Sequence, residues 1–130
     1  MGQDERESLA RVKRELRLIQ RAIEVFGSTA TAYLWLTTPC AALRGNAPRD
    51  IHYDVEGARR VSTALRRRYA RQRIVRSIGL AAFAVEAALT AWLWKKCPRL
   101  GNRLPAMLLD SDDGTREVLA FLTQNRKRIR

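Results

Sequence analysis

Eight arginines crowd residues 59–76: Arg59, Arg60, Arg66, Arg67, Arg68, Arg71, Arg73 and Arg76 fall within eighteen positions that hold no acid. On a helix, 59, 66 and 73 form one row with 60 and 67 beside them, so a broad basic face is predicted. Guanidinium groups present a planar fork of donors that matches carboxylate or phosphate two bonds at a time. Such a face contacts phosphate or docks an acidic partner; the plainer alternative is a solvated helix surface. Tyr69 is the only aromatic residue in the run, which argues against base stacking on single strands. A second basic group, Arg126, Lys127, Arg128 and Arg130, ends the sequence and could enter an anionic cleft or simply solubilise the chain. From these runs Arg59, Arg60, Arg66, Arg67 and Arg71, with the four tail residues, are the partner-binding candidates.

The remaining reactive residues offer little catalysis. His52 is the single histidine, placed in a turn, and is read as a surface residue with no serine or cysteine partner. Cys40 and Cys97 read as small buried thiols, and no second pair accompanies them to make a zinc site. Asp110, Asp112 and Asp113 lack the alternate spacing and distal glutamate of a calcium loop; they stand where a helix start favours negative charge. With no Gly-rich phosphate loop and no nucleophile–base set, the expectation is a non-enzyme without cofactor or metal.

The chain has 130 residues, 25 of them basic and 13 acidic, for a net charge of +12. Only Lys13, Lys95, Lys96 and Lys127 are lysines. That balance produces a positive field attractive to nucleic acid, anionic lipid or acidic protein surfaces, although genomic base composition alone can enrich arginine. Hydrophobic residues make up 46%, enough for a folded core. Two cysteines are too few for a disulfide scaffold, and the charged start MGQDERESLARVKRELR lacks an apolar signal core. Both point to the cytoplasm. Residues 78–94 carry one charge, Glu86, but are shorter than the roughly 20 residues a membrane span needs, so no span is expected.

These candidates must be positioned by helices. Leu9, Val12, Leu16, Ile19, Ile23 and Phe26 alternate steps of three and four, predicting an amphipathic helix over 4–26 that Gly27 stops. Ser28 or Thr29 caps a second helix, and Pro39 closes it. Pro48 opens a short helical turn. Asp54 caps a third helix that carries Val61, Leu65 and then Tyr69 or Gln72 inward, running past Arg76 with a bend near 77–79. A further helix reaches about Lys95, and a last one is capped by Ser111 or Asp112.

Residues 22–65 fall without a gap on 79–122 when shifted by 57 positions. Phe26 meets Phe83, Trp35-Leu36 meets Trp92-Leu93, Cys40 meets Cys97, Pro48 meets Pro105, Gly57 meets Gly114, and Val61 and Leu65 meet Val118 and Leu122. Rare residue types agreeing in one register point to a duplicated helical unit.

The ordered set of Val25-Phe26-Gly27, Ala32, Trp35-Leu36, Pro39, Leu43, Gly45, Pro48, Asp50, Gly57, Val61 and Leu65 resembles the toxin-binding domain of the MbcA/ParS/Xre antitoxin family. The second stretch keeps Trp92-Leu93, Leu100, Pro105, Gly114, Val118 and Leu122 but replaces Gly27, Pro39, Gly45 and Asp50 with Ala84, Lys96, Asn102 and Met107. The resemblance implies a non-enzymatic antitoxin. Such proteins usually mask the cleft of a RES-domain, NAD-degrading toxin, often with their C-terminal end. Many also carry an N-terminal DNA-binding helix-turn-helix, for which this chain has no room. Phe26, Gly27, Trp35, Leu36, Pro48, Gly57, Trp92, Leu93, Pro105 and Gly114 are the fold-determining positions.

The predicted architecture is all-α: two tandem, divergent helical units sharing a long central helix. An N-terminal helix (1–21) leads into a first unit (22–76), followed by a second, degenerate unit (77–122) and a basic tail (123–130). The leading partner is a protein toxin. The rival reading is a small basic DNA-binding protein using 59–76, and self-association stays open.

Overall fold

Helix boundaries in the first half follow the chemistry of neighbouring residues. The computed structural model describes residues 2–83 and 85–124, so Arg126, Lys127, Arg128 and Arg130 lie outside the described residues. Helix α1 (Gln3–Phe26) ends at Gly27 in the left-handed conformation, whose N–H donates 2.8 Å to the Ile23 carbonyl. The Ser28 hydroxyl accepts from the Thr31 N–H at 3.1 Å and so caps α2 (Thr29–Thr37). A single 3-10 turn over Ala41–Leu43 leads to α3 (Pro48–Ile51), with Pro48 in its first turn. Asp54 accepts from the Gly57 N–H at 2.6 Å, opening α4 (Val55–Ala82).

The second half repeats this grammar. Helix α5 (Glu86–Leu93), a 3-10 turn over Pro98–Leu100, α6 (Pro105–Leu108) and α7 (Asp112–Gln124) begin 57 residues after α2, the first turn, α3 and α4. Backbone pairing repeats as well: Cys40 bridges Asn46, and Cys97 bridges Arg103. Ser111 takes the place of Asp54, its hydroxyl accepting from Gly114 N–H at 3.0 Å. Among the described residues every regular element is helical apart from those two isolated bridges. The fold is all-α.

Two glycines hold one packing relationship in common. A methyl group on Gly57 would overlap the Ile51 carbonyl oxygen, and one on Gly114 would overlap that of Leu108. The start of α4 therefore rests on the end of α3, and α7 on α6, at a separation only hydrogen permits. The left-handed two-residue turn before each bridge shows a compensated exchange. Arg44 and Gly45 adopt φ of 57° and 82°, and Gly101 and Asn102 adopt 71° and 59°. The change of Gly45 to Asn102 costs little, because asparagine tolerates this region and the glycine has moved one place back.

The chain forms two compact units, Met1–Arg66 and Arg67–Arg130, and α4 passes from one into the other. The first core gathers Ala22, Ala32, Trp35, Leu36, Cys40, Leu43, Val61 and Leu65. Phe26 packs on Trp35 with ring centroids 5.7 Å apart. The second gathers Val75, Phe83, Leu89, Cys97, Leu100, Val118 and Leu122, with Phe83 5.8 Å from Trp92. Phe121 also stacks on Trp92, at 5.2 Å; the corresponding residue of the first unit is Ala64.

The periodicity of α4 misleads in one place. Tyr69 is exposed and Gln72 is half-buried; the residues that go in are Arg68 and Val75. Helix α4 also continues through Ser77 and Gly79 to Ala82 as one element. Apolar residues 78–94 are split between α4 and α5, and among the described residues no single helix is long and apolar enough to cross a membrane.

Candidate toxin-binding unit and its arginine cleft

The arginines of α4 do not form one free face. Arg59 and Arg60 lie near Glu56, one turn earlier, at 3.6 and 3.5 Å. Both pairs are solvent-exposed, so they add little stability and leave the guanidiniums available. Arg66 and Arg67 are exposed. Arg68 is buried and paired with Asp110 at 2.7 Å. Arg71 donates to the Asp112 carboxylate from both Nε and Nη2, at 3.0 and 2.8 Å, and to the Leu109 carbonyl. Arg76 meets Glu86 at 2.7 Å. For Arg68, Arg71 and Arg76, the acids missing between 59 and 76 are thus supplied from later in the second unit.

The aspartate cluster serves these arginines as well as the helix start. Asp110 neutralises Arg68, Asp112 binds Arg71, and Asp113 pairs with Arg116 at 2.8 Å. The Arg71 guanidinium holds the Asp112 carboxyl below its ordinary range. Dipole placement at the α7 start still fits Asp112 and Asp113, but the capping hydrogen bond comes from Ser111.

Nor is His52 a surface residue. It is 9% exposed, sits just after α3, and its Nδ1 is buried without a hydrogen-bond partner. Burial pushes its pKa below the ordinary value; Glu15 opposes that shift, and Arg14 and Arg49 add to it. His52 lines two recesses of the first unit. One, of about 150 Å³, is apolar and is walled by Leu18, Ile19, Ile23, Ala32, Tyr33 and Leu36. The other, a cleft of about 500 Å³, is walled by Arg14, Arg17, Arg21 and Arg66, with Leu18, Ala58, Ser62 and Leu65.

Of the cleft arginines, only Arg66 stands in the basic run of α4; Arg14, Arg17 and Arg21 come from α1 and are not among the sequence candidates. Their signal is present all the same: spacings of three and four place them on one stripe of α1, adjoining the apolar one. That apolar stripe itself divides. Ile19 and Ile23 pack on the core, whereas Leu9, Val12 and Leu16 stay 42%, 51% and 56% exposed.

Residues 21–71 match the family model of the antitoxin Xre/MbcA/ParS C-terminal toxin-binding domain. The matched stretch, 51 of the 130 residues, runs from the last turns of α1 to the middle of α4. It includes the capped α2, the tight Gly57 contact, His52 and Arg66, whereas Leu9, Val12, Leu16, Arg14 and Arg17 precede it. Within it, Trp35, Leu36 and Pro48 are buried core residues. No curated protein and no solved structure matches the chain.

Proposed function

We propose that this chain is a non-enzymatic antitoxin acting in the cytoplasm, and that its partner is a RES-domain, NAD-degrading toxin. The observation that carries the reading is the toxin-binding domain over residues 21–71. Residues 79–122 are read as a divergent second copy of the same domain, supported by the helix starts, bridges and capping bonds that recur at a spacing of 57 residues.

Inhibition in this reading is steric. The exposed Leu9, Val12 and Leu16 supply apolar contact area, and Arg59, Arg60, Arg66 and Arg67 engage acidic groups around the toxin's cleft. Arg126, Lys127, Arg128 and Arg130 are proposed to follow the family's habit of masking with the C-terminal end. Arg71 belongs with structure more than docking, because Asp112 already occupies it.

The test is co-expression with a RES-domain enzyme encoded beside this chain. The two should co-purify, and NAD hydrolysis should fall on mixing. Reversing two exposed charges (Arg66→Glu with Arg67→Glu) should weaken the complex while circular dichroism stays unchanged. A RES enzyme that neither binds nor loses activity rejects the partner assignment.

A further inference from the structure

We infer that the cleft between α1 and α4 of the first unit is an anion site for a multivalent phosphate, of the kind carried by a nucleotide. Four arginines, Arg14, Arg17, Arg21 and Arg66, line about 500 Å³ with no carboxylate-bearing residue among the lining. That volume is in the range of small-molecule sites. Four like charges in one recess repel one another, and a single carboxylate offsets only one of them. A phosphate carries about −1.5 to −2, so two or three linked phosphates match the cleft where one acidic side chain does not.

A second observation points the same way. Arg14 Nε and His52 Nδ1 are buried in this unit with no hydrogen-bond partner, and both residues line the cleft. Buried polar atoms are rarely left unsatisfied. Arg14 is anchored by its Nη2, which donates to the Tyr53 carbonyl at 3.3 Å; a ligand rich in acceptor oxygens would satisfy its Nε–H after a small side-chain movement. The imidazole would complete a polar wall together with the Ser62 hydroxyl.

The second unit serves as an internal control. Adding 57 to each position gives Ile74 for Arg17, Ile78 for Arg21, Leu109 for His52 and Thr123 for Arg66. Arg71 replaces Arg14, and there Asp112 neutralises it. A helical unit of the same element order therefore forms without these charges. Packing does not require them in the first unit.

The experiment is calorimetric titration of the full chain with tripolyphosphate and with ATP, at low and moderate salt. Binding should be near one to one, and inorganic phosphate should bind far more weakly. Arg17→Gln with Arg66→Gln should lose at least about tenfold in affinity. Arg59→Gln with Arg60→Gln, which removes the same charge from outside the cleft, should lose little. Arg21→Gln alone provides a milder check should the double variant lose its helical signal. Tripolyphosphate binding without a preference for ATP, or displacement of either by duplex DNA in a cleft-dependent way, supports the phosphate site and assigns its source. Equal weakening by both double variants, absence of binding, or polyglutamate binding as tightly as tripolyphosphate would overturn it.

Discussion

Arg68 of α4 and Asp110, 42 residues later, meet at 2.7 Å with their side chains only 2% and 8% exposed. A charge so placed is tolerable only while its partner stays. Asp110→Ala should therefore destabilise the chain by about 3–5 kcal/mol, read as a lower denaturant midpoint. Replacing both, Arg68→Met with Asp110→Leu, should recover most of that loss. Equal destabilisation by single and double variants would count against a true ion pair.

Gly79 and Leu89 form a second coupled pair. A methyl group on Gly79 would lie 2.6 Å from Leu89 Cδ1, whereas the corresponding residues of the first unit are Ala22 and Ala32, both buried in one cluster. The second unit thus holds a glycine and a leucine where the first has two alanines. Leu89→Ala alone should cost about 2–5 kcal/mol. Adding Gly79→Ala to it should recover about 1 kcal/mol, through helix propensity and a smaller cavity. In the wild-type background Gly79→Ala should bring no such gain, and a double-mutant cycle measures the difference.

Gly57→Ala and Gly114→Ala should each be destabilising despite the roughly 1 kcal/mol that alanine normally gains inside a helix. The obstructing atoms are backbone carbonyl oxygens of Ile51 and Leu108, which cannot rotate away. A net loss of at least about 2 kcal/mol is expected in thermal or urea unfolding. A neutral result at either site would mean that its helices are not in contact.

His52 makes stability depend on pH in the mildly acidic range. Its folded pKa lies below the ordinary 6.5 because burial disfavours the imidazolium. Between those two values the unfolded chain binds more protons, so stability is full above pH 6.5 and falls as acid is added through the lowered pKa. His52→Asn should flatten the change in urea midpoint between about pH 7.5 and pH 5.5. An unchanged slope would show that other groups control that range. Asp112 acts in the same direction but below its ordinary 3.8, outside this window.

Much of the helical layout was legible because it rests on neighbours in sequence. Gly27, Ser28, Pro48, Asp54 and Ser111 act within a turn of where they stand, and Trp35 and Trp92, 57 residues apart, each pack on a phenylalanine. The arginines were harder. Arg66, Arg67 and Arg68 are adjacent and chemically identical, yet the first two are exposed and the third is buried. Only Asp110, brought in by a distant loop, distinguishes them. The cleft stayed hidden for a similar reason: Arg14, Arg17 and Arg21 become a site only when Arg66 and His52 arrive from elsewhere in the chain.

The exchange between Gly79–Leu89 and Ala22–Ala32 also bears on inheritance. Two stretches that match at intervals along their length invite recombination of the gene with itself. A crossover that delivered α5 in place of α2 would put a leucine into the buried cluster that holds Ala22. The hybrid would be overfilled, and the reciprocal product would leave a void. Under the proposed duplication, differences of this kind would make the two stretches non-interchangeable and would keep a two-unit chain from collapsing back to one.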